Sequence, residues 1–170
     1  MRPMVFEFMN DPAVPYLDQQ YMLGDALLVA PVFREDKVAQ YYLPEGTWTE
    51  LLTGETKEGG RWFQGTYDYF SMPLYVRENS IVVRGNCDTR PDYDYADHAT
   101  VCVYQLKDAA ETKVPDIHGN NVFTVKAVKD GDTVKVFVEG AHTELKVEVF
   151  VGNEKKEAVL AADANEVVVA

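Results

Sequence analysis

The feature that most restricts this chain is strict alternation in its last third. Leu145, Val147, Val149 and Val151 fall on one side of an extended segment, while Lys146 and Glu148 fall on the other. Successive side chains of a strand point to opposite faces, so this spacing gives one buried and one wetter face, as in antiparallel sandwiches. Upstream, Val122 to Val128 and Thr133 to Val138 flank Lys129-Asp130-Gly131-Asp132. Glycine there is available for positive φ, so the segment reads as a hairpin, with Val134, Val136 and Val138 on one face. Val101 to Tyr104 is a further strand, Gly152-Asn153 a turn, and Glu166 to Val169 a final strand.

The middle of the chain shows strands and turns and almost no helix. Pro44-Glu45-Gly46 turns into a Trp48 to Leu52 strand, and Thr53-Gly54-Glu55 and Glu58-Gly59-Gly60 are the next turns. Strands follow at Arg61 to Phe63, Leu74 to Val76 and Ile81 to Val83. Short strands at this spacing, punctuated by Gly, Pro and Asn, give an all-β fold class of two antiparallel β-sandwich-like units. The units are expected over 33–85 and 98–170, joined by a polar, turn-rich connector at 86–97.

Residues 1–32 read differently. Met4 to Phe8 and Ala26 to Val32 are apolar runs of the kind buried on both faces, and Asn10-Asp11-Pro12 stops the first. Leu17 to Leu23 suits one or two helical turns closed by Gly24. Left bare, the two runs would expose a sheet edge and an apolar patch. They are therefore expected to pack against the Trp48 to Leu52 region or on a neighbouring copy.

Charge and motifs exclude several functions. A net charge of -12 over 170 residues opposes nucleic acid and anionic membranes, both of which are polyanions. No apolar run approaches the roughly 18 residues that span a bilayer. Cys87 and Cys102 are the only cysteines and lack metal-type spacing, so free thiols in a reducing cytoplasm are expected. Glu7 comes too early for a signal peptide. Asp88, Asp92, Asp94 and Asp97 lack the glycine and closing glutamate of a calcium loop and read as a solvated linker. His98, His118 and His142 form neither a zinc pair nor a triad, and there is no phosphate-binding or nucleophile-elbow motif. No metal, no cofactor and no catalytic residue is expected.

Aromatic residues make up 12% of the chain, and sugars stack their apolar faces on aromatic rings. Trp48, Trp62, Tyr67, Tyr69 and Phe70 are the candidates for such a platform, which would make the chain a carbohydrate-binding module. Sandwich cores and interfaces use the same residue types, and that reading is preferred.

Two segments carry a family resemblance: Gly24-Asp25-Ala26-Leu27-Leu28-Val29-Ala30-Pro31-Val32 and Tyr42-Leu43-Pro44-Glu45-Gly46-Thr47-Trp48. Together they resemble the junction between the catalytic barrel and the C-terminal β-domains of family 31 glycoside hydrolases. Arg2-Pro3-Met4, Glu7-Phe8, Asp18 to Leu23 and Pro73 to Asn79 are similar to the bacterial α-xylosidase branch more than to the α-glucosidase branch. Arg90-Pro91-Asp92-Tyr93 continues the similarity, which thins beyond about residue 95.

The resemblance implies that Met4 to Phe8 corresponds to the last strand of a (β/α)8 barrel, with the family's two catalytic aspartates upstream of Met1. On that reading the chain is the non-catalytic C-terminal portion of a retaining enzyme acting on α-linked xylose, an α-glucosidase being the alternative. Barrel active sites lie at the C-terminal strand ends, so Phe8, Asn10 and Asp11 are expected near the rim of the substrate pocket. Glu7 is expected to pair with Arg2 or with a barrel residue. The partners implied are the barrel of the same chain and an oligosaccharide substrate, and a homo-oligomer is left open.

Overall fold

Strand pairing divides the chain into two compact units, Met1–Glu78 and Asn79–Ala170, in the computed structural model, which describes residues 1–170. The first unit contains β1 (Arg2–Pro3), β2 (Tyr21–Leu23), β3 (Leu27–Val29), β4 (Val38–Leu43), β5 (Thr47–Glu50), β6 (Thr56–Glu58), β7 (Arg61–Thr66) and β8 (Leu74–Arg77). An antiparallel sheet runs in the order β1-β2-β3-β8-β5-β6, and β4 pairs with β7 separately. Met4, Met22, Leu28, Tyr41, Leu43 and Trp48 form its core. Burying each such side chain contributes roughly 1.5–3 kcal/mol.

The leading residues are part of this unit. β1, β2 and β3 extend the sheet that holds β5 and β8, so the expected division at residue 32 is not made. Met4 to Phe8 is also not a strand. Met4–Phe6 forms a 3-10 turn in which Met4 alone is buried, because only Arg2–Pro3 finds a ladder partner, opposite Tyr21 and Met22. The helical turns expected over Leu17 to Leu23 are replaced by a 3-10 turn at Val14–Tyr16 and by strand β2. Gly24, at φ +62°, makes the β2–β3 hairpin turn instead of ending a helix. The expected packing near Trp48 is present: the rings of Phe8 and Trp48 lie 6.2 Å apart.

A polar knot sits inside this core. The Tyr41 and Tyr75 hydroxyls are 2.8 Å apart, Tyr67 donates to Tyr41 at 3.2 Å, and the Lys57 ammonium donates to Tyr75 at 2.7 Å. The same ammonium lies 5.4 Å from the Phe63 ring centroid, a cation–π distance. Burial, first of all, pushes the Tyr41, Tyr67 and Tyr75 phenols well above their ordinary range.

The second unit is a sandwich of β9 (Ser80–Arg84), β10 (Thr100–Tyr104), β11 (Ala109–Pro115), β12 (Asn121–Asp130), β13 (Thr133–Gly140), β14 (Leu145–Val151), β15 (Glu154–Leu160) and β16 (Glu166–Val169). One sheet is ordered β15-β14-β10-β9, the other β11-β12-β13-β16. Val101, Val103, Leu145, Val147 and Val149 from the first meet Phe123, Val125, Val134, Val136 and Val138 from the second. The alternation read in the sequence is thus the inner face from Leu145 to Val149, whereas Val151 at the strand end is half-exposed and Glu148, expected on the wetter face, is buried. β9 pairs with β10, which puts residues 80–84 in this unit and shifts the boundary from the expected residue 85.

The pairing is antiparallel with one exception. β10 and β14 run parallel, since the chain leaves for the other sheet through β11–β13 and returns alongside β10 in the same direction. The β12–β13 hairpin turns at Gly131, φ +61°, as expected from the sequence. The connector is ordered: Tyr95 donates to the Pro91 carbonyl, and its ring meets Tyr93 edge-on at 5.0 Å. Both cysteines are free, and burial pushes the Cys102 thiol up to about 11.

The buried phenols set an alkaline limit on the first unit. Their folded pKa values exceed the unfolded value of about 10, so their contribution is complete below pH 10 and is lost as pH rises further. Urea midpoints measured across the alkaline range are expected to fall above about pH 10, with phenolate absorbance from these tyrosines appearing only as the unit unfolds. A midpoint that stays flat while all ten tyrosines ionise would contradict this.

Candidate functional site

The first unit carries an open cleft of about 880 Å³, lined by residues 7–13 on one side and by Tyr42, Pro44, Glu45, Gly59 and Gly60 on the other. The local sequence builds its floor. The Asp11 carboxylate accepts from the Ala13 amide at 3.0 Å, and Val14 donates its amide to the Asp11 carbonyl, closing the turn that Asn10-Asp11-Pro12 begins. Tyr42 lies on the outward side of β4, yet it is buried because the leading segment covers it. Its hydroxyl donates to Asp11 Oδ2 at 2.9 Å, and burial followed by this bond raises its phenol pKa.

Gln20 fixes the same strand. Its amide nitrogen donates to the Tyr42 carbonyl, its oxygen accepts from the Tyr42 amide, and both distances are 2.8 Å. A side-chain amide carries one acceptor and one donor in the arrangement of a peptide group, so Gln20 takes the place of a neighbouring strand. The opposite wall needs glycine: a Cβ on Gly59 would stand 1.8 Å from the Pro44 carbonyl oxygen.

Glu7 is held by Arg2 at 3.0 Å and by Arg77 at 3.5 Å, so the expected Arg2 pairing is present and the second partner lies within the chain. The Arg77 guanidinium also lies 5.1 Å from the Phe8 ring centroid. Glu7 and Asp11 are therefore committed to structural partners. Of the residues expected at a pocket rim, Phe8, Asn10 and Asp11 all line this cleft.

The aromatic residues that could have formed one platform do not share a surface. Trp48 is buried in the core, with its indole N–H donating to the Pro44 carbonyl at 2.8 Å, so it is inaccessible to a sugar. Trp62 is half-exposed on β7, its ring 5.6 Å from that of Tyr42. Tyr67 and Tyr69 lie elsewhere, around a second cavity of about 390 Å³. The sequence did not point to Tyr42 or Gln20. Their signal is tertiary, since 22 residues separate two partners that meet across strands.

Similarity to known proteins follows the same division. Residues 1–82 match the Glycosyl hydrolase family 31 C-terminal domain, and residues 94–170 match the Alpha-xylosidase YicI C-terminal domain. The chain is 34% identical over 158 residues to alpha-xylosidase XylQ of Lactiplantibacillus pentosus, covering 91% of this chain and 21% of that protein. It is 26% identical over 156 residues to alpha-glucosidase 2 of Bacillus thermoamyloliquefaciens, covering 91% of this chain and 19% of that one. The fold superposes on the GH31 alpha-xylosidase of Xanthomonas citri with a TM-score of 0.75 and 28% identity, over 99% of this chain and 21% of that structure. The chain thus spans about a fifth of the length of the relatives it matches.

Removing the Tyr42 hydroxyl leaves an Asp11 oxygen without its donor, and truncating Gln20 strands a buried peptide group. Tyr42→Phe is expected to cost about 1–2 kcal/mol and Gln20→Ala about 2–3 kcal/mol, read from urea unfolding. Both should speed amide hydrogen exchange within residues 8–14 selectively. Unchanged exchange there would show that the clamp does not hold the loop.

Proposed function

We propose, since this chain belongs to the C-terminal domains of glycoside hydrolase family 31, that its two β units brace the catalytic portion of a longer α-xylosidase and do no chemistry themselves. The substrate of the whole enzyme is then an oligosaccharide with α-linked xylose. The stronger match to alpha-xylosidase XylQ than to alpha-glucosidase 2 supports xylose over glucose. The unpaired Cys87 and Cys102 support a reducing compartment, and a cytoplasmic location is part of the proposal.

One observation carries the bracing role. The leading segment is apolar on two sides. Met4 and Val14 are buried in the core of the first unit, while Phe6, Met9 and Tyr16 are 69%, 72% and 83% exposed. Large apolar side chains clustered in one exposed segment mark a contact surface. Its occupant is the remainder of the polypeptide, four-fifths of which, by the length of XylQ, lies outside the matched region.

Two outcomes test this. The isolated chain is expected to release no p-nitrophenol from p-nitrophenyl α-xyloside, and turnover that an acidic substitution in this chain abolishes would overturn the reading. Replacing Phe6, Met9 and Tyr16 together by Asp is expected to lower dye binding and self-association while moving the melting temperature by less than about 3 °C. Unfolding of that variant would mean that the three side chains belong to the unit's own core.

A further inference from the structure

The loop Asp68–Ser71 places two rings almost wholly in solvent: Tyr69 is 96% exposed and Phe70 is 92% exposed. The loop is held tightly at its base. Ser71 Oγ donates to Asp68 Oδ1 at 2.7 Å and accepts from the Asp68 amide at 2.9 Å, and the Phe70 amide donates to Asp68 Oδ1 at 2.9 Å. Just before it, the Tyr67 amide donates to the Lys37 carbonyl, and the Tyr67 hydroxyl is tied into the core through Tyr41. Gly65 leaves room for the Tyr67 ring, which a Cβ would meet at 3.0 Å. The aromatic side chains are thus carried on a backbone that is already ordered, and a ligand binding there would not bear the entropy of ordering it.

Beside the Tyr69 ring is polar chain. The cavity of about 390 Å³ is lined by Tyr67 and Tyr69 together with Arg34, Glu35, Lys37 and Asp68. Lys37 has φ +62°, a conformation in which its ammonium comes to 6.0 Å from the Tyr69 ring centroid. The Arg34 guanidinium is gripped by Asp36, its Nε donating to Oδ1 at 2.9 Å. Apolar aromatic faces with a few fixed donors and acceptors beside them make a small-molecule site. Donors and acceptors are both present, and the acidic side chains Glu35, Asp36 and Asp68 stand beside the two cations. That balance disfavours an anionic ligand and suits a neutral polyol, whose hydroxyls donate and accept while its C–H face lies on a ring.

We propose that Tyr67 and Tyr69, with Arg34, Glu35 and Lys37, form a binding site for a neutral oligosaccharide, separate from the Phe8–Asp11 cleft. Carbohydrate is chosen as the ligand class because the chain belongs to a glycoside hydrolase family. The site does not depend on the docking role of Phe6, Met9 and Tyr16, so either can fail alone. In the whole enzyme such a site holds a long substrate near the catalytic portion without taking part in cleavage.

The test is a titration of the nitrogen-labelled 170-residue chain with isoprimeverose and, separately, isomaltotriose, followed by amide chemical shifts. Saturable shifts are expected at residues 34–37 and 65–72, with a dissociation constant of about 1–10 mM, the range of a single small stacking site. Tyr69→Ala should weaken binding at least about tenfold. It removes only an exposed ring, so amide shifts of the sugar-free chain outside residues 34–37 and 65–72 should not move. Trp62→Ala should leave the constant unchanged. No saturable shift up to about 50 mM sugar, shifts centred on Phe8 to Ala13, or binding indifferent to Tyr69→Ala would each overturn the proposal.

Discussion

The side-chain amide of Gln20, paired with the peptide group of Tyr42, holds the first unit's leading segment in place. β4 has β7 as its only strand partner, so its other edge would be bare where the chain covers it. A buried, unpaired peptide group is costly, and a glutamine meets both halves of the requirement at once. With the strand satisfied, the Tyr42 ring can stay buried on the outer side and reach Asp11, and Asp11 in turn closes the turn after Phe8. The cleft floor, the position of Phe8 against Trp48 and the exposure of Met9 all follow from that one pairing.

Charge inside the first unit is used for structure in one place and left available in another. At the cleft, Glu7 has two arginine partners and Asp11 has two donors, so the carboxylates hold shape. Around the Tyr69 loop, Lys37 and Glu35 are exposed beside a ring that is also exposed. The contrast separates a scaffold from a surface that can meet a ligand.

The second unit ties up its buried polar groups. Its one buried carboxylate, Glu148, is met by Arg84 at 2.7 Å and by Lys155 at 3.5 Å. His142 places its two ring nitrogens 2.7 Å from the Thr143 carbonyl and 3.0 Å from the Ala164 carbonyl, tying two loops together. β15 at the sheet edge is rich in lysine and glutamate, which discourages edge-to-edge pairing with another chain. No helix in either unit is long and apolar enough to cross a membrane.

Local pattern along the chain specified the all-β class, the inner face of the second unit and the β12–β13 turn, because period-two alternation and a glycine at positive φ are local properties. It did not reveal β15, whose inward residues are only Ala158 and Leu160 among charges, since an edge strand needs little apolar surface. It marked Met4 to Phe8 as a buried strand, because an apolar run looks the same whether it is buried in a ladder or on one side of a turn. Phe8, Asn10 and Asp11 were brought together only by the family resemblance, and Tyr67 and Tyr69 were candidates by residue type alone. Which aromatics are open was decided by tertiary structure alone. Trp48 and Tyr69 are both large rings near turns, and only packing against Met4, Met22 and Leu28 removes the first from solvent while the loop leaves the second in it.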